Sequence, residues 1–84
     1  MTDGPGETAE TIDARGLRCP LPVIRLAARA KAAADGTRIT VLATDPAARY
    51  DVPAWARMRG HEMAGASETD GVWTLTVRVR RSDT

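Results

Sequence analysis

The order of secondary structure is set by residues 11–43, which read TIDARGLRCPLPVIRLAARAKAAADGTRITVLA. Residues 11–14 alternate polar and apolar side chains, which predicts a short strand that is broken at Gly16. Residues 22–34 repeat apolar side chains every three or four positions, and this spacing predicts a helix with one apolar face. Gly36 is expected to end that helix in the left-handed conformation that glycine tolerates at a C-cap.

The next two elements are predicted to be a strand and a second helix. Residues 37–43 are rich in β-branched side chains, which is typical of a strand with alternate residues on one face. Asp51 is predicted to be the N-cap of the second helix, and Pro53 is predicted to lie in its first turn. Gly60 is expected to end this helix.

The last part of the chain predicts a β-hairpin. Asp70 and Gly71 form a hairpin-turn dipeptide between a weak strand at 61–69 and a clearer strand at 72–80. Apolar and polar side chains alternate along the last strand, so one face of the sheet is expected to be buried and the other to face water. The apolar set comprises Trp73, Leu75, Val77 and Val79.

These elements follow the order β-α-β-α-β-β, which predicts an α/β (α+β) fold. The expected architecture is a two-layer sandwich in which a four-stranded mixed sheet carries two helices on one face. The first two strands can pair in parallel, whereas the hairpin strands must be antiparallel. A chain of 84 residues is expected to form one domain, at 10–81, with a disordered N-terminal tail at 1–9 and a C-terminal tail at 82–84.

The composition excludes several classes of function. A single cysteine rules out an internal disulfide, a CxxC pair and a cysteine-based zinc knuckle, and no metal site or cofactor is predicted. A net charge of +1 argues against nucleic acid as the main partner. The chain has no run of about 20 apolar residues and no signal-peptide core near its start, so we expect a cytoplasmic protein.

Cys19 is the candidate reactive residue. It directly precedes the first predicted helix, where unpaired backbone N–H groups and the macrodipole favour a thiolate, and Arg18 acts in the same direction if it points toward the sulfur. We therefore expect a lowered pKa for this thiol. The alternative interpretation is a small buried apolar side chain. The residues expected to shape the loop around the thiol are Asp13, Gly16, Pro20 and Pro22.

A lone activated thiol can form a mixed disulfide, be oxidised or carry a group, but it cannot run a dithiol cycle. These residues alone leave group carriage and redox sensing open. His61 is interpreted as solvated or bonded to backbone, because nothing in the sequence brings it to the thiol. Four arginines have two interpretations. They form a positive rim around Cys19 that docks acidic partners, or they are ordinary solvated charges: Arg15, Arg18, Arg25 and Arg29.

Some conspicuous polar and aromatic residues are given structural interpretations. Trp55 and Trp73 have apolar spacing and are predicted to be core residues. Asx and proline residues shape turns and helix starts directly. We therefore interpret four such residues as turn and cap residues, not catalysts: Asp45, Pro46, Asp51 and Pro53.

The segment DARGLRCPLP at residues 13–22 resembles the Cys-Pro-x-Pro signature of the TusA/SirA family of sulfur-carrier proteins. The resemblance continues in order through residues 43–48, 51–53, 60–62 and 68–71. It implies the same β-α-β-α-β-β fold and a persulfide carried on Cys19, with sulfurtransferase activity in the sense of a persulfide carrier. Some members have another cysteine in the second helix, where this chain has Trp55 and Ala56, so a role that needs two thiols is not expected.

The resemblance also implies protein partners. The sulfur donor would be a cysteine desulfurase or a rhodanese-type protein, and the acceptor a DsrE-like or similar protein. The routes served by the family lead to thiolated tRNA, molybdenum cofactor or oxidised inorganic sulfur. We expect a monomer that binds neither membranes nor, stably, nucleic acid. The alternatives are a thiol-based redox sensor and a non-enzymatic regulatory module that binds a protein.

Overall fold

A computed structural model describes residues 9–81 of the chain. The predicted order of elements and the α+β class are confirmed. The predicted tails, 1–9 and 82–84, lie outside the described residues, except for Ala9, which is the first residue of the first strand. The elements are β1 (Ala9–Ala14), α1 (Leu21–Ala32), β2 (Arg38–Ala43), α2 (Ala48–Arg59), β3 (Glu62–Thr69) and β4 (Val72–Arg78).

The four strands form one mixed sheet in the order β1-β2-β4-β3. β1 and β2 are parallel, with Ile12 opposite Val41, whereas β4 is antiparallel to both of its neighbours. Because β1 and β2 run in the same direction, the loops that follow them leave the sheet at the same edge. The loop at 15–20 therefore lies beside the loop at 44–47.

The core lies between the sheet and the helices. α1 packs over β1 and β2, and α2 packs over β3 and β4. The opposite face of the sheet is polar, and there the hydroxyls of Thr40 and Thr76 are 2.8 Å apart. The predicted division into one buried and one wet face is confirmed. The buried apolar residues of the sheet are Ile12, Ala14, Ile39, Val41, Ala43, Leu75, Val77 and Val79, and those of the helices include Leu26, Ala30, Val52, Trp55 and Ala56.

The predicted C-cap of α1 at Gly36 is wrong. The helix ends at Ala32, with Ala33 in an extended conformation, whereas Gly36 lies in the following turn with φ of +89°. The Arg81 guanidinium satisfies the end of the helix instead. Its Nη1 lies 3.3 Å from the carbonyl oxygens of Ala30, Lys31 and Ala33. This cap comes from the other end of the chain, so local sequence does not reveal it.

The predicted N-cap of α2 at Asp51 is also wrong. The N-cap is Ala47, four residues earlier, and no side chain caps the helix. Asp45 lies in the turn before it, and its Oδ1 accepts a hydrogen bond from the Ala47 N–H at 3.0 Å. Pro53 consequently lies inside the helix. Burial of Val52 and Trp55 on the core side offsets the backbone hydrogen bond that a proline cannot donate. The predicted end at Gly60 is confirmed, with φ of +81°.

The hairpin is confirmed at the predicted dipeptide. Asp70 and Gly71 have φ of +50° and +82°, the left-handed pair that a type I′ turn requires. β4 ends at Arg78, two residues earlier than predicted. Pairing continues beyond it, because the Val79 N–H donates to the Thr37 carbonyl at 2.8 Å.

Candidate active site

Cys19 lies half-buried in the loop between β1 and α1. The loop turns at Gly16, which has φ of +83° and whose N–H donates to the Thr44 hydroxyl at 2.9 Å. A Cβ added to Gly16 would meet no atom within 4 Å, so the positive φ, not crowding, explains the glycine. α1 begins two residues after Cys19, following a cis Cys19–Pro20 peptide bond.

Asp45 connects this loop to the start of α2. Its Oδ2 accepts a hydrogen bond from the backbone N–H of Cys19 at 2.8 Å, while its Oδ1 accepts the Ala47 N–H. These two backbone hydrogen bonds stabilise the carboxylate and lower the pKa of Asp45, and the charge of Arg18 adds to the effect. One carboxylate therefore connects the loop that carries Cys19 to the N-cap residue of α2.

Asp51 contacts the sulfur itself. It lies in the first turn of α2, partly buried, and the Cys19 Sγ donates a hydrogen bond to its Oδ2. This hydrogen bond is the main reason that the pKa of the Cys19 thiol is raised from 9.0 to about 11, and burial and the charges of Asp51 and Asp45 add to it. The expectation of a lowered pKa is therefore wrong. At neutral pH the resting sulfur is a thiol.

The helix N-terminus does not stabilise a thiolate, for identifiable reasons. Two residues of the first turn, Pro20 and Pro22, have no N–H to offer. The N–H of Leu21 donates to the Arg18 carbonyl at 2.8 Å, and that of Cys19 is taken by Asp45. The N–H groups of Cys19, Leu21 and Ile24 are thus already paired, and the Asp51 carboxylate occupies the position next to the sulfur.

Two of the four arginines of the predicted positive rim form ion pairs with acidic side chains. Arg15 forms a bidentate pair with Asp13, with both side-chain contacts at 2.8 Å, and this pairing lowers the pKa of Asp13 to about 2. Arg29 bonds to Glu10 on β1. Arg25 is exposed on α1 and has no ion-pair partner within residues 9–81.

His61 does not join Cys19. It follows α2, at the opposite end of that helix from Asp51, and its Nδ1 accepts the Arg80 N–H at 3.0 Å. Its ring lies 5.1 Å from that of Trp55, and burial lowers the pKa of the imidazole. The prediction of a backbone-bonded histidine is confirmed. Trp55 is buried and Trp73 is half-buried against the core, as predicted for both.

The sequence did not predict the contact of Asp51 with the Cys19 sulfur, because Asp51 was interpreted as a helix cap. The sequence contained part of the information needed to predict this contact. β1 and β2 were expected to be parallel, so the residues after each strand were bound to meet at one edge of the sheet. Cys19 follows β1, and Asp45 and Asp51 follow β2. Placing the sulfur against one particular carboxylate required the start of α2, which was predicted four residues late.

The Asp45→Ala variant is expected to have a lower Tm than the wild-type protein near neutral pH. The folded state lowers the pKa of Asp45, so its contribution to stability is present above the unfolded value near 3.8 and is lost as the pH falls through the folded value. The difference in Tm should therefore shrink below about pH 4. Thermal denaturation of both proteins between pH 7 and pH 2 checks this, and a difference that does not change with pH would contradict it.

Neither a metal site nor a membrane span is found in the part of the chain that the structure describes. No three His, Cys, Asp or Glu side chains there are grouped as metal ligands. No helix among residues 9–81 is long and apolar enough to cross a bilayer.

The sequence matches a family model and known relatives over most of its length. A family model described as "Sulfurtransferase TusA" matches residues 10–79. A putative sulfur carrier protein of Neisseria meningitidis is 46% identical over 70 residues, which span 83% of this chain and 95% of the relative. The sulfur carrier protein TusA of Pseudomonas entomophila is 40% identical over 68 residues, 81% of this chain and 85% of the relative.

A solved structure has the same fold. The crystal structure of a SirA-like protein from Desulfitobacterium hafniense superposes with a TM-score of 0.75 at 32% sequence identity. The superposition covers 86% of this chain and 99% of that protein. The similarity therefore extends over both helices and the whole sheet.

Proposed function

This chain belongs to the TusA family of sulfur-carrier proteins, and we propose that Cys19 is the residue on which it holds sulfur, as a persulfide. The observation that carries the proposal is the position of the one cysteine in the sequence. Its sulfur is half-buried in a loop fixed by Asp45 and Gly16, so it is held in place yet open to a partner.

The chemistry is a transfer of neutral sulfur between thiols. The Cys19 sulfur attacks the terminal sulfur of a persulfide on the donor, a new S–S bond forms at Cys19, and the donor's S–S bond breaks to release its thiolate. The acceptor's thiolate later attacks the same terminal sulfur, and Cys19 leaves. No external oxidant or resident cofactor is required. Because the chain has no second cysteine, release depends on a thiol of another protein.

Donor and acceptor are proteins in this proposal, a desulfurase or rhodanese-type donor and a DsrE-like or similar acceptor. Leu21 and Ile24 are 45% and 54% exposed on the first turn of α1, directly beside the reactive loop. Exposed apolar side chains next to a reactive group suit a transient protein contact. We assign the protein to the cytoplasm, as a monomer serving thiolation, molybdenum cofactor or sulfur-oxidation routes.

Intact-mass measurement tests the proposal. The protein is incubated with a cysteine desulfurase and cysteine, or with a rhodanese and thiosulfate. A gain of one sulfur atom, reversed by a reductant, is expected for the wild-type protein, and none for Cys19→Ser. A gain that persists in Cys19→Ser, or no gain with either donor, would refute the assignment of Cys19.

The raised pKa of the thiol argues against the redox-sensor alternative. Redox-sensing cysteines have low pKa values, because the thiolate reacts with peroxide, whereas Cys19 is held as a thiol. Sulfenate formation with dilute peroxide, together with no sulfur uptake from either donor, would reverse this assignment. Partner binding that survives Cys19→Ser and accompanies no sulfur uptake would favour a regulatory module.

A further inference from the structure

We propose that Asp51 accepts the proton of Cys19 while the sulfur attacks the donor's persulfide, and returns it when the sulfur is passed on. The inference rests on the proposed sulfur-carrier role of Cys19 and assigns to that site a second catalytic residue. It starts from one contact: the Cys19 Sγ donates its hydrogen bond to Asp51 Oδ2.

The surroundings of the sulfur make Asp51 the available proton acceptor. Three charged groups face this loop: Asp51 from α2, Asp45 from the preceding loop and Arg18 from the reactive loop itself. Asp45 uses both carboxylate oxygens on backbone N–H groups. Asp51 has no ion-pair partner within residues 9–81. Of the two carboxylates, only Asp51 directs an oxygen at the sulfur.

The loading step needs a group that removes the proton of the Cys19 thiol. The thiolate is the nucleophile, yet the site holds Cys19 as a thiol at neutral pH. As Sγ bonds to the donor's terminal sulfur, electron density leaves Sγ and its proton becomes more acidic. A carboxylate already hydrogen-bonded to that proton takes it at this stage. The donor's S–S electron pair departs with the donor's thiolate, so the loading step leaves a neutral carboxyl on Asp51.

The same residue assists release. When an acceptor thiolate attacks the terminal sulfur, Cys19 must leave, and a sulfur that is protonated as it departs is a better leaving group than a bare thiolate. By microscopic reversibility, the Asp51 carboxyl donates its proton to Sγ as the S–S bond breaks. Cys19 departs as a thiol, Asp51 returns to a carboxylate, and the site regains its resting state.

The test is the pH dependence of loading by a small persulfide donor, glutathione persulfide, in wild-type and Asp51→Asn proteins. Loading is followed by rapid acid quench and intact mass. Titration of the donor affects both proteins equally and cancels in the ratio of their rates. Without the carboxylate, loading must use free Cys19 thiolate, whose population rises about tenfold per pH unit below its pKa. We expect the mutant-to-wild-type ratio to be below about 0.1 at pH 6 and to rise steeply toward pH 9.

Two further variants separate this role from a structural one. Asp51→Glu keeps a carboxylate and is expected to restore a shallow pH dependence. Glu62→Gln removes a carboxylate at the opposite edge of the sheet, where it contacts Arg80 and not the sulfur, so its pH profile should keep the wild-type shape. A ratio that stays above one at every pH would show that Asp51 only suppresses the thiolate, and a constant ratio would show that it does not act in loading; either result overturns the inference.

These outcomes are distinguishable from failure of the proposed function. If wild-type protein takes up no sulfur from protein or small-molecule donors, Cys19 is not a sulfur carrier. If wild-type protein loads but Asp51→Asn shows the same pH profile, the carrier role stands and the role of Asp51 does not. Circular dichroism of each variant confirms that the measured rates belong to folded protein.

Discussion

The Cys19 thiol is expected to titrate at about pH 11, two units above the ordinary value of 9.0 for this group. The cause is the Asp51 carboxylate, which accepts a hydrogen bond from the thiol and repels a negative charge on the sulfur. Two pKa units correspond to about 100-fold less thiolate at neutral pH than in an unperturbed cysteine. The resting protein is therefore expected to resist alkylation and oxidation, although it has no second thiol to protect it.

Thiolate absorbance in the ultraviolet measures this pKa directly, because Cys19 is the only cysteine. Tyr50, the only tyrosine, also absorbs in alkaline solution, so the Cys19→Ser protein is titrated in parallel and subtracted. Asp51→Asn is expected to move the titration down toward 9.0. A wild-type value below 9.0 would restore the helix N-terminus and Arg18 as the dominant influences and would contradict the structure.

Leu26→Ala is expected to destabilise the protein by about 3 kcal/mol, within the range of 2–5 kcal/mol typical of buried leucines. Leu26 is among the largest fully buried side chains of the described residues and lies on the core face of α1. A domain of this size is stable by only about 4–12 kcal/mol, so the loss is a large share of the total. Chemical denaturation monitored by circular dichroism gives the free energy of unfolding of both proteins.

Ile24→Ala is the matched control on the same helix. The Ile24 side chain is 54% exposed, so truncation leaves no cavity, and its expected cost is within about 0.5 kcal/mol. Equal losses for the two variants would contradict the placement of the core against this face of α1. A large loss for Leu26→Ala alone supports it.

Periodicity was sufficient to predict most of the fold. The alternation along β4 depends on which side chains can be buried, and Leu75 and Val77 are buried as that pattern required. Gly60, Asp70 and Gly71 mark ends and turns because each adopts a positive φ. Such features depend on neighbouring residues, and local sequence therefore predicts them well.

The helix boundaries were predicted less well, because they depend on distant groups. The end of α1 is satisfied by Arg81, about 50 residues away, so Gly36 was not needed as a cap. α2 starts at Ala48 without a side-chain cap, and burial of Val52 and Trp55 in the core holds Pro53 inside the helix. In both helices a long-range or packing contribution outweighed a local preference.

The sequence alone determined the order of the elements and the family, and predicted Cys19 as the reactive residue, because these follow from residue type, spacing and motif. The state of the sulfur did not follow from them. It depends on Asp45 and Asp51, which lie 26 and 32 positions from Cys19 along the chain and meet it through hydrogen bonds formed on folding. An electrostatic shift depends on distances of a few ångströms between such groups, and those distances exist only once β1 and β2 have paired in parallel and brought their following loops together.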